Sequence, residues 1–427
     1  MITPKGEYTF SRTTRDSSSF LNKLSEQQKL AVKNIDRSSI ISAGAGSGKT
    51  RLLTFKIAYL ISIGVSPSQI LALTFTNKAA NEMKSRVIEL LDNHSLNELW
   101  MGTFHSIFLR ILRENHEYLH EKYNLNQKFL IYDQRSKSTV LEMIIEKYIQ
   151  EYKYAKKNNN RIVVQKILTE ISDDISKIKN EGKKIEECLS DNSGLVLNNN
   201  SLEYKTNLKN IYFDYREKCL NSNALDFDDI LLFTYRMLSD NEEIANKYRK
   251  KFEYILVDEY QDTNGIQFNI IDLIYVNKKT KICVVGDDAQ CIYSFRGSKI
   301  ENFQKFRERY SPVEYTLRVN YRSTKTIIKA TNKLIQKNER QNNRLLFTNS
   351  ESSNLIEKKI KIISAENSKE EARKVIEKIK ELRNEDKNQN NWGSFAILYR
   401  AHKQAEPFEN ELKNSNIPYE IFGKINF

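Results

Sequence analysis

Ser39-Ile40-Ile41-Ser42-Ala43-Gly44-Ala45-Gly46-Ser47-Gly48-Lys49-Thr50 is the stretch that decides the fold. Ser39–Ala43 reads as a short buried strand. The turn after it holds three of the chain's 13 glycines, and a helix opens at Lys49. Strand, glycine-rich turn and helix in that order aim backbone N–H groups at a phosphate, and the helix N-terminus adds partial positive charge. Lys49 is placed to reach the β- and γ-phosphates, and the Thr50 hydroxyl to bind Mg²⁺. The general pattern G-x-x-x-x-G-K-[ST] has a glycine where this chain has Ala43.

Further strands are expected at Ile70–Thr74, Tyr254–Asp258, Lys281–Gly286 and Ser394–Tyr399, alternating with helical stretches. That alternation predicts an α/β fold with a parallel sheet, whose ligands bind at the carboxyl ends of the strands. Two of those ends carry chemistry. Ile255-Leu256-Val257-Asp258-Glu259-Tyr260-Gln261-Asp262 delivers paired acids. Beside a phosphate loop, Asp258 suits Mg²⁺, and Glu259 suits the orientation and deprotonation of an attacking water. Gly286 to Gly297 places Gln290 to sense a γ-phosphate, since an amide both donates and accepts. Tyr293, Phe295 and Arg296 then offer stacking faces and charge to a nucleic-acid strand.

Between 113 and 223 glycine is scarce. Val164, Ile167, Leu168, Ile171, Ile175 and Ile178 recur at helical spacing. A helical insertion splitting the first α/β domain is expected. The 427 residues carry 68 Lys and Arg against 55 Asp and Glu, a net charge of +13, which suits a polyanionic partner. Cys188, Cys219, Cys283 and Cys291 form no CxxC pair, which argues against a zinc ribbon, an iron–sulfur site or a disulfide framework and favours a reduced, cytoplasmic setting. No apolar run approaches the ~20 residues that span a bilayer. Residues 1–20 read as a disordered tail.

Taken together and in order, these motifs resemble superfamily-1 DNA helicases of the UvrD/Rep/PcrA type. The resemblance implies a P-loop NTPase (RecA-like) sheet at 21–112 and 224–316, the helical insertion at 113–223, and part of a second RecA-like motor domain at 317–427. Leu24-Ser25-Glu26-Gln27-Gln28 is similar to the family's adenine-reading motif, with Gln28 as reader. Ala43–Thr50 resembles the family's own form of the phosphate loop, with Arg51 also touching phosphate. Thr74–Ala80, with Phe75, Thr76 and Asn77, and Gly102–Ser106, with Thr103, Phe104 and His105, are similar to two strand-binding motifs. Leu225–Ile230 matches a family segment at the return to the first motor domain. Asn320-Tyr321-Arg322-Ser323 is similar to the motif opening the second, where the tyrosine stacks on adenine and the arginine reaches the γ-phosphate.

The resemblance implies ATP and Mg²⁺ as ligands, and single-stranded DNA and single-strand/duplex junctions as partners, with 3′→5′ polarity. The sequence ends where the family enters a second insertion, and nothing after Arg322 matches its last two motifs. A truncated or split motor is therefore expected, slow alone and completed by a partner chain. Two function classes stay open: an ATP-dependent helicase or translocase, and an ATP-gated strand-binding subunit with little turnover. A GTPase is disfavoured, because neither Asn77-Lys78 nor Asn332-Lys333 continues as Asn-Lys-x-Asp.

Overall fold

Ten short strands appear in the computed structural model, which describes residues 19–91, 96–292, 300–337, 345–348, 359–385 and 391–422. They are β1 (Ser39–Ala43), β2 (Ile70–Thr74), β3 (Trp100–Thr103), β4 (Leu130–Tyr132), β5 (Ala224–Asp226), β6 (Tyr254–Val257), β7 (Lys281–Gly286), β8 (Val313–Leu317), β9 (Val319–Asn320) and β10 (Phe347–Thr348). Six form one all-parallel sheet in the order β3-β2-β6-β7-β1-β8. The ends of β6, β7 and β1 are thus neighbours, although more than 200 residues separate β1 from β6. The mixed α/β class with a parallel central sheet is the one expected.

Side chains of a strand alternate between faces, and this sheet has an apolar core on each. Ile40, Leu71, Leu73, Ile255, Val257, Ile282 and Val284 join one core. Their immediate neighbours Ile41, Ile70, Ala72, Tyr254, Leu256, Cys283 and Val285 join the other. Helices flanking the sheet are started by side chains that satisfy first-turn N–H groups. Ser25, Thr76, Thr103, Asp226 and Asn264 each accept a bond from the third residue of the helix they precede.

The helical insertion has a third core, running from Val140 to Cys219 and containing Ile167, Leu168, Ile171, Ile175 and Ile178 as their spacing predicts. Leu119, Leu125 and Phe129 instead join the sheet domain's core. The independent core therefore starts later than residue 113. The parallel pair β4–β5 closes the base of the insertion.

The chain divides into two compact units, 1–355 and 356–427. β9, β10 and the helix Lys325–Ile335, which follow the expected start of the second domain at 317, lie within the first unit. The described residues of the second unit include two α-helices, Ser368–Glu385 and Ala405–Asn414, with Ala372, Ile376, Ala405 and Ile417 buried. The strand expected at Ser394–Tyr399 is not formed. Trp392–Ser394 is a 3₁₀ turn, and residues 395–399 pair with no strand among the described residues; Leu398 is 95% exposed. A strand needs a hydrogen-bonded neighbour, and the described residues of this unit supply none. At the other end, Ser19 and Phe20, placed in the tail by the sequence reading, begin the 3₁₀ turn Ser19–Lys23, with Phe20 edge-on to Phe55.

Candidate functional site

The glycine turn after β1 has the backbone that only glycine adopts easily. Gly46 and Gly48 lie at φ +71° and +86°. Ser47 folds the turn by donating from both its N–H and its hydroxyl to the Gly44 carbonyl. Gly48 starts the helix Lys49–Ser62 and brings no capping side chain, so the first-turn N–H groups face an anion directly. Lys49 is buried. Its Nζ lies 2.7 Å from Glu259 Oε2 but has no well-aligned hydrogen-bond acceptor. A buried ammonium with unspent donors fits a phosphate oxygen.

Across the cleft, Thr50 Oγ1 donates to Asp258 Oδ2 at 2.8 Å. β6 ends at Val257, one residue earlier than expected, because Glu259 turns into the left-handed region at φ +48°. That strain, about 1 kcal/mol or more for a non-glycine residue, aims the carboxylate at Lys49. Gln261 is the residue whose role the motif reading left unassigned. Its Nε2 donates to Glu259 Oε2 at 2.8 Å, and its Oε1 accepts from the Asp287 N–H at 2.9 Å. A side chain at Gly286 would sit 2.7 Å from that oxygen, so the glycine makes the bridge possible. Asp287 Oδ2 in turn accepts from Gln290 Nε2 at 2.6 Å. Glu259 and Gln290, the expected base and sensor, are thus wired together through Gln261 and Asp287.

Burial, then the Glu259 charge, pushes Asp258 up to about 6 and Asp262 likewise up to about 6. Burial also raises Asp287. Carboxyls crowded this way suit a divalent cation. Among the described residues no group of three His, Cys, Asp or Glu side chains could hold a metal alone. One carboxylate and one hydroxyl match Mg²⁺, which takes few protein ligands and completes its shell with phosphates and water.

Gln28 lies at the far side of the loop. Its Nε2 donates to the Ser47 carbonyl at 3.1 Å, and its Oε1 accepts from the Ser25 N–H. One N–H and one lone pair of the amide remain for a base edge. Lys56 anchors this arrangement. It is buried, and its Nζ donates to the carbonyls of Ala31 and Asn34 at the end of the helix that carries Gln28. Arg51 points elsewhere, donating to the Lys23 carbonyl at 2.9 Å.

Tyr321 and Arg322 are brought to the loop by Asn320, another residue without an assigned role. Asn320 is buried. Its Nδ2 donates to the Ala45 carbonyl at 2.6 Å, and its Oδ1 accepts from the N–H groups of Arg322 and Ser323. The Tyr321 N–H bonds the Gly46 carbonyl at 2.9 Å. A Cβ at Gly46 would lie 2.6 Å from Asn320 Nδ2. Asn320→Asp keeps the acceptor and loses the donor to the loop. A nucleotide held at the loop should bind about tenfold more weakly, the worth of one buried hydrogen bond. Titration with a fluorescent nucleotide alongside thermal unfolding will show it; unchanged affinity in a folded variant would exclude a clamp.

Phe75 and Thr76 line a concavity of about 430 Å³ together with Thr50, Asp258, Glu259 and Gln290. The expected strand and phosphate contacts therefore share one cavity wall. Thr76 and Asn77 are exposed at the start of the helix Asn77–Leu90. Thr103 caps the helix Phe104–Glu114. Phe104, expected as a stacking platform, is 3% exposed and packs edge-on against Phe108, so its ring is core and offers no face to a base. His105 is half-buried, edge-on to Phe227, and burial lowers its pKa despite the nearby Asp228 charge. Tyr293, Phe295 and Arg296 lie outside the described residues.

A parallel sheet with this loop, acidic strand end and glutamine turn on three adjacent strands defines a P-loop nucleotide-binding protein. The chain belongs to the UvrD/REP helicases. The family model of the UvrD/REP helicase N-terminal domain matches residues 24–311, and that of the UvrD-like helicase C-terminal domain matches 315–427. It is similar to a probable DNA helicase II homolog of Mycoplasma capricolum, 39% identical over 95% of this chain and 53% of that protein. It also resembles the ATP-dependent DNA helicase Rep of Buchnera aphidicola, 35% identical over 94% of this chain and 55% of the relative. The ATP-dependent DNA helicase PcrA of Staphylococcus aureus is likewise 35% identical, over 95% and 52%. The chain spans about half the length of the curated relatives it matches.

Proposed function

We propose that this chain binds ATP with Mg²⁺ and couples its hydrolysis to 3′→5′ movement on single-stranded DNA. The observation that carries this is the pairing of Lys49 with Glu259 beside the pairing of Thr50 with Asp258, at the ends of strands that are distant in sequence. Asp258 and Thr50 would hold the Mg²⁺, which neutralises phosphate charge when bound. Lys49 and the loop N–H groups orient the phosphates. Glu259, held by Gln261, takes the proton of the attacking water. Gln290 passes the state of the site to Asp287 and Gln261, and Phe75 and Thr76 couple it to the strand. Tyr321 and Arg322, tied to the loop by Asn320, meet base and phosphate. No helix of the described residues is long and apolar enough to cross a membrane. A cytoplasmic setting is part of this reading, supported by cysteines that form no disulfide.

Oligo(dT) should stimulate ATP hydrolysis by the full chain at least about tenfold, an allosteric coupling of ordinary size. The measurement is phosphate release with and without the oligonucleotide. Nucleotide-dependent strand affinity without turnover would instead define a gated DNA-binding subunit. Absence of both ATP binding and strand binding would sink the proposal.

A further inference from the structure

A second concavity, of about 490 Å³, lies on the outer face of the helix Phe104–Glu114, away from the phosphate loop. Ser106, Arg110 and Arg113 line it at spacings of four and three, which puts them on one helix face. His116 and Gln127 close the other side. At 1.5 Å per residue, Ser106 to Arg113 covers about 10 Å.

The charges here are unequally matched. The Arg110 guanidinium lies 3.7 Å from the Trp100 ring centre and the Lys251 ammonium 4.1 Å from it. Glu114 is the nearby acid, and both its oxygens are engaged, one by Arg110 Nε at 3.1 Å and the other by the Tyr248 hydroxyl at 3.2 Å. Arg113 rests over Phe129 and has no ion pair among the described residues. Lys247 adds a further cation and Glu98 a further acid around Lys251. Of the residues lining the concavity, Arg110 and Arg113 are opposed by one carboxylate, Glu114, which Arg110 and Tyr248 already engage, so the Arg113 charge is unmatched there.

We propose that this face binds the sugar–phosphate backbone of DNA, extending the strand's path from Thr103 and Ser106 along the helix to Arg113. The inference rests on the strand-binding reading above and adds a location to it. Exposed arginines in a row recognise phosphodiesters through forked, charge-assisted hydrogen bonds and carry no sequence preference. Ser106 belongs both to the expected strand-binding motif and to the concavity, which makes the two surfaces continuous.

The test is the affinity of the full chain for fluorescent oligo(dT) between 50 and 200 mM salt, in wild type, Arg113→Ala, Arg113→Glu and Arg113→Lys. Loss of one phosphate contact should weaken Arg113→Ala about fivefold and flatten the log–log salt slope by about 0.7. Arg113→Glu should be weaker still, and Arg113→Lys should restore the slope. A merely structural arginine would not move the slope, and unfolding midpoints will identify a misfolded variant. A slope unchanged in both Arg113→Ala and Arg113→Glu overturns the proposal. So does an effect confined to a blunt duplex with oligo(dT) affinity intact. If wild type itself shows no salt-dependent affinity for oligo(dT), the strand-binding reading fails; if wild type binds and only Phe75→Ala weakens it, this surface alone is refuted.

Discussion

Glu259→Gln should leave ATP binding near the wild-type level and reduce turnover by about 10²–10⁴, the usual contribution of a positioned general base. The amide preserves the shape of the side chain and the contact with Gln261, but it cannot take a proton from water. It also removes the negative charge that helps hold Asp258 above its ordinary range. Lys49→Ala behaves differently, because the ammonium is the buried donor aimed at phosphate. It should weaken nucleotide affinity as well as turnover. Binding of a fluorescent ATP analogue, read beside single-turnover hydrolysis, separates the two. A Glu259→Gln variant that hydrolyses ATP within about threefold of wild type would falsify the assignment of Glu259 as base.

The second large effect concerns stability and sits where the insertion meets the sheet domain. Lys179, on the insertion's helix Arg161–Glu181, is 1% exposed and lies 2.8 Å from both Asp226 Oδ2 and Asp229 Oδ1. Lys137 lies 3.6 Å from Asp226 and 3.1 Å from Asp228. Burial works against the Asp226 charge, but Lys179 and Lys137 outweigh it and hold that carboxyl below its usual range. Burial and the Asp226 charge raise Asp229 to about 6. Lys179→Ala would strand two buried carboxyls and should cost about 3–5 kcal/mol.

The pH dependence has a definite sign. Lys179 lowers both carboxyls against the burial that raises them, so its removal should move both upward, Asp229 from a value already raised to about 6. A carboxyl with a raised folded pKa costs nothing below its unfolded value, and its penalty grows as pH rises through the folded value. The variant should therefore lose more stability than wild type between pH 5 and pH 8. Urea unfolding at the two pH values measures it, and an equal loss in both proteins would show that Lys179 does not govern the pair.

Much of the nucleotide site is readable from local sequence, because each piece is a short strand running into a turn. Ser39–Thr50 and Ile255–Asp262 announce themselves through apolar runs followed by glycine or paired acids. β3 is harder to see: Trp100-Met101-Gly102-Thr103 has a strand's burial without its β-branched composition. Ser394–Tyr399 fails in the opposite way, having the composition without a neighbour to pair with. The roles of Asn320 and Gln261 are invisible locally, because their partners Ala45 and Asp287 lie 275 and 26 positions away. Phe104 is ambiguous in the sequence because a phenylalanine beside an expected strand-binding motif reads alike whether its ring faces solvent or core, and here it is core.

The order of strands in the sheet also sets a timetable for synthesis. β1 has no neighbour among the strands made soon after it; its partners are β7 and β8. From Ala43 to Lys281 is about 240 residues, so at roughly 5–20 residues per second β1 waits about 12–50 s for a partner. The insertion, with its own core from Val140 to Cys219, is finished within that interval and can fold first. The phosphate loop, near the start of the polypeptide, is thus among the last parts to become ordered. Until then the apolar β1 is an unpaired strand, open to aggregation and to chaperones, so a slower ribosome lengthens the period of risk rather than shortening it.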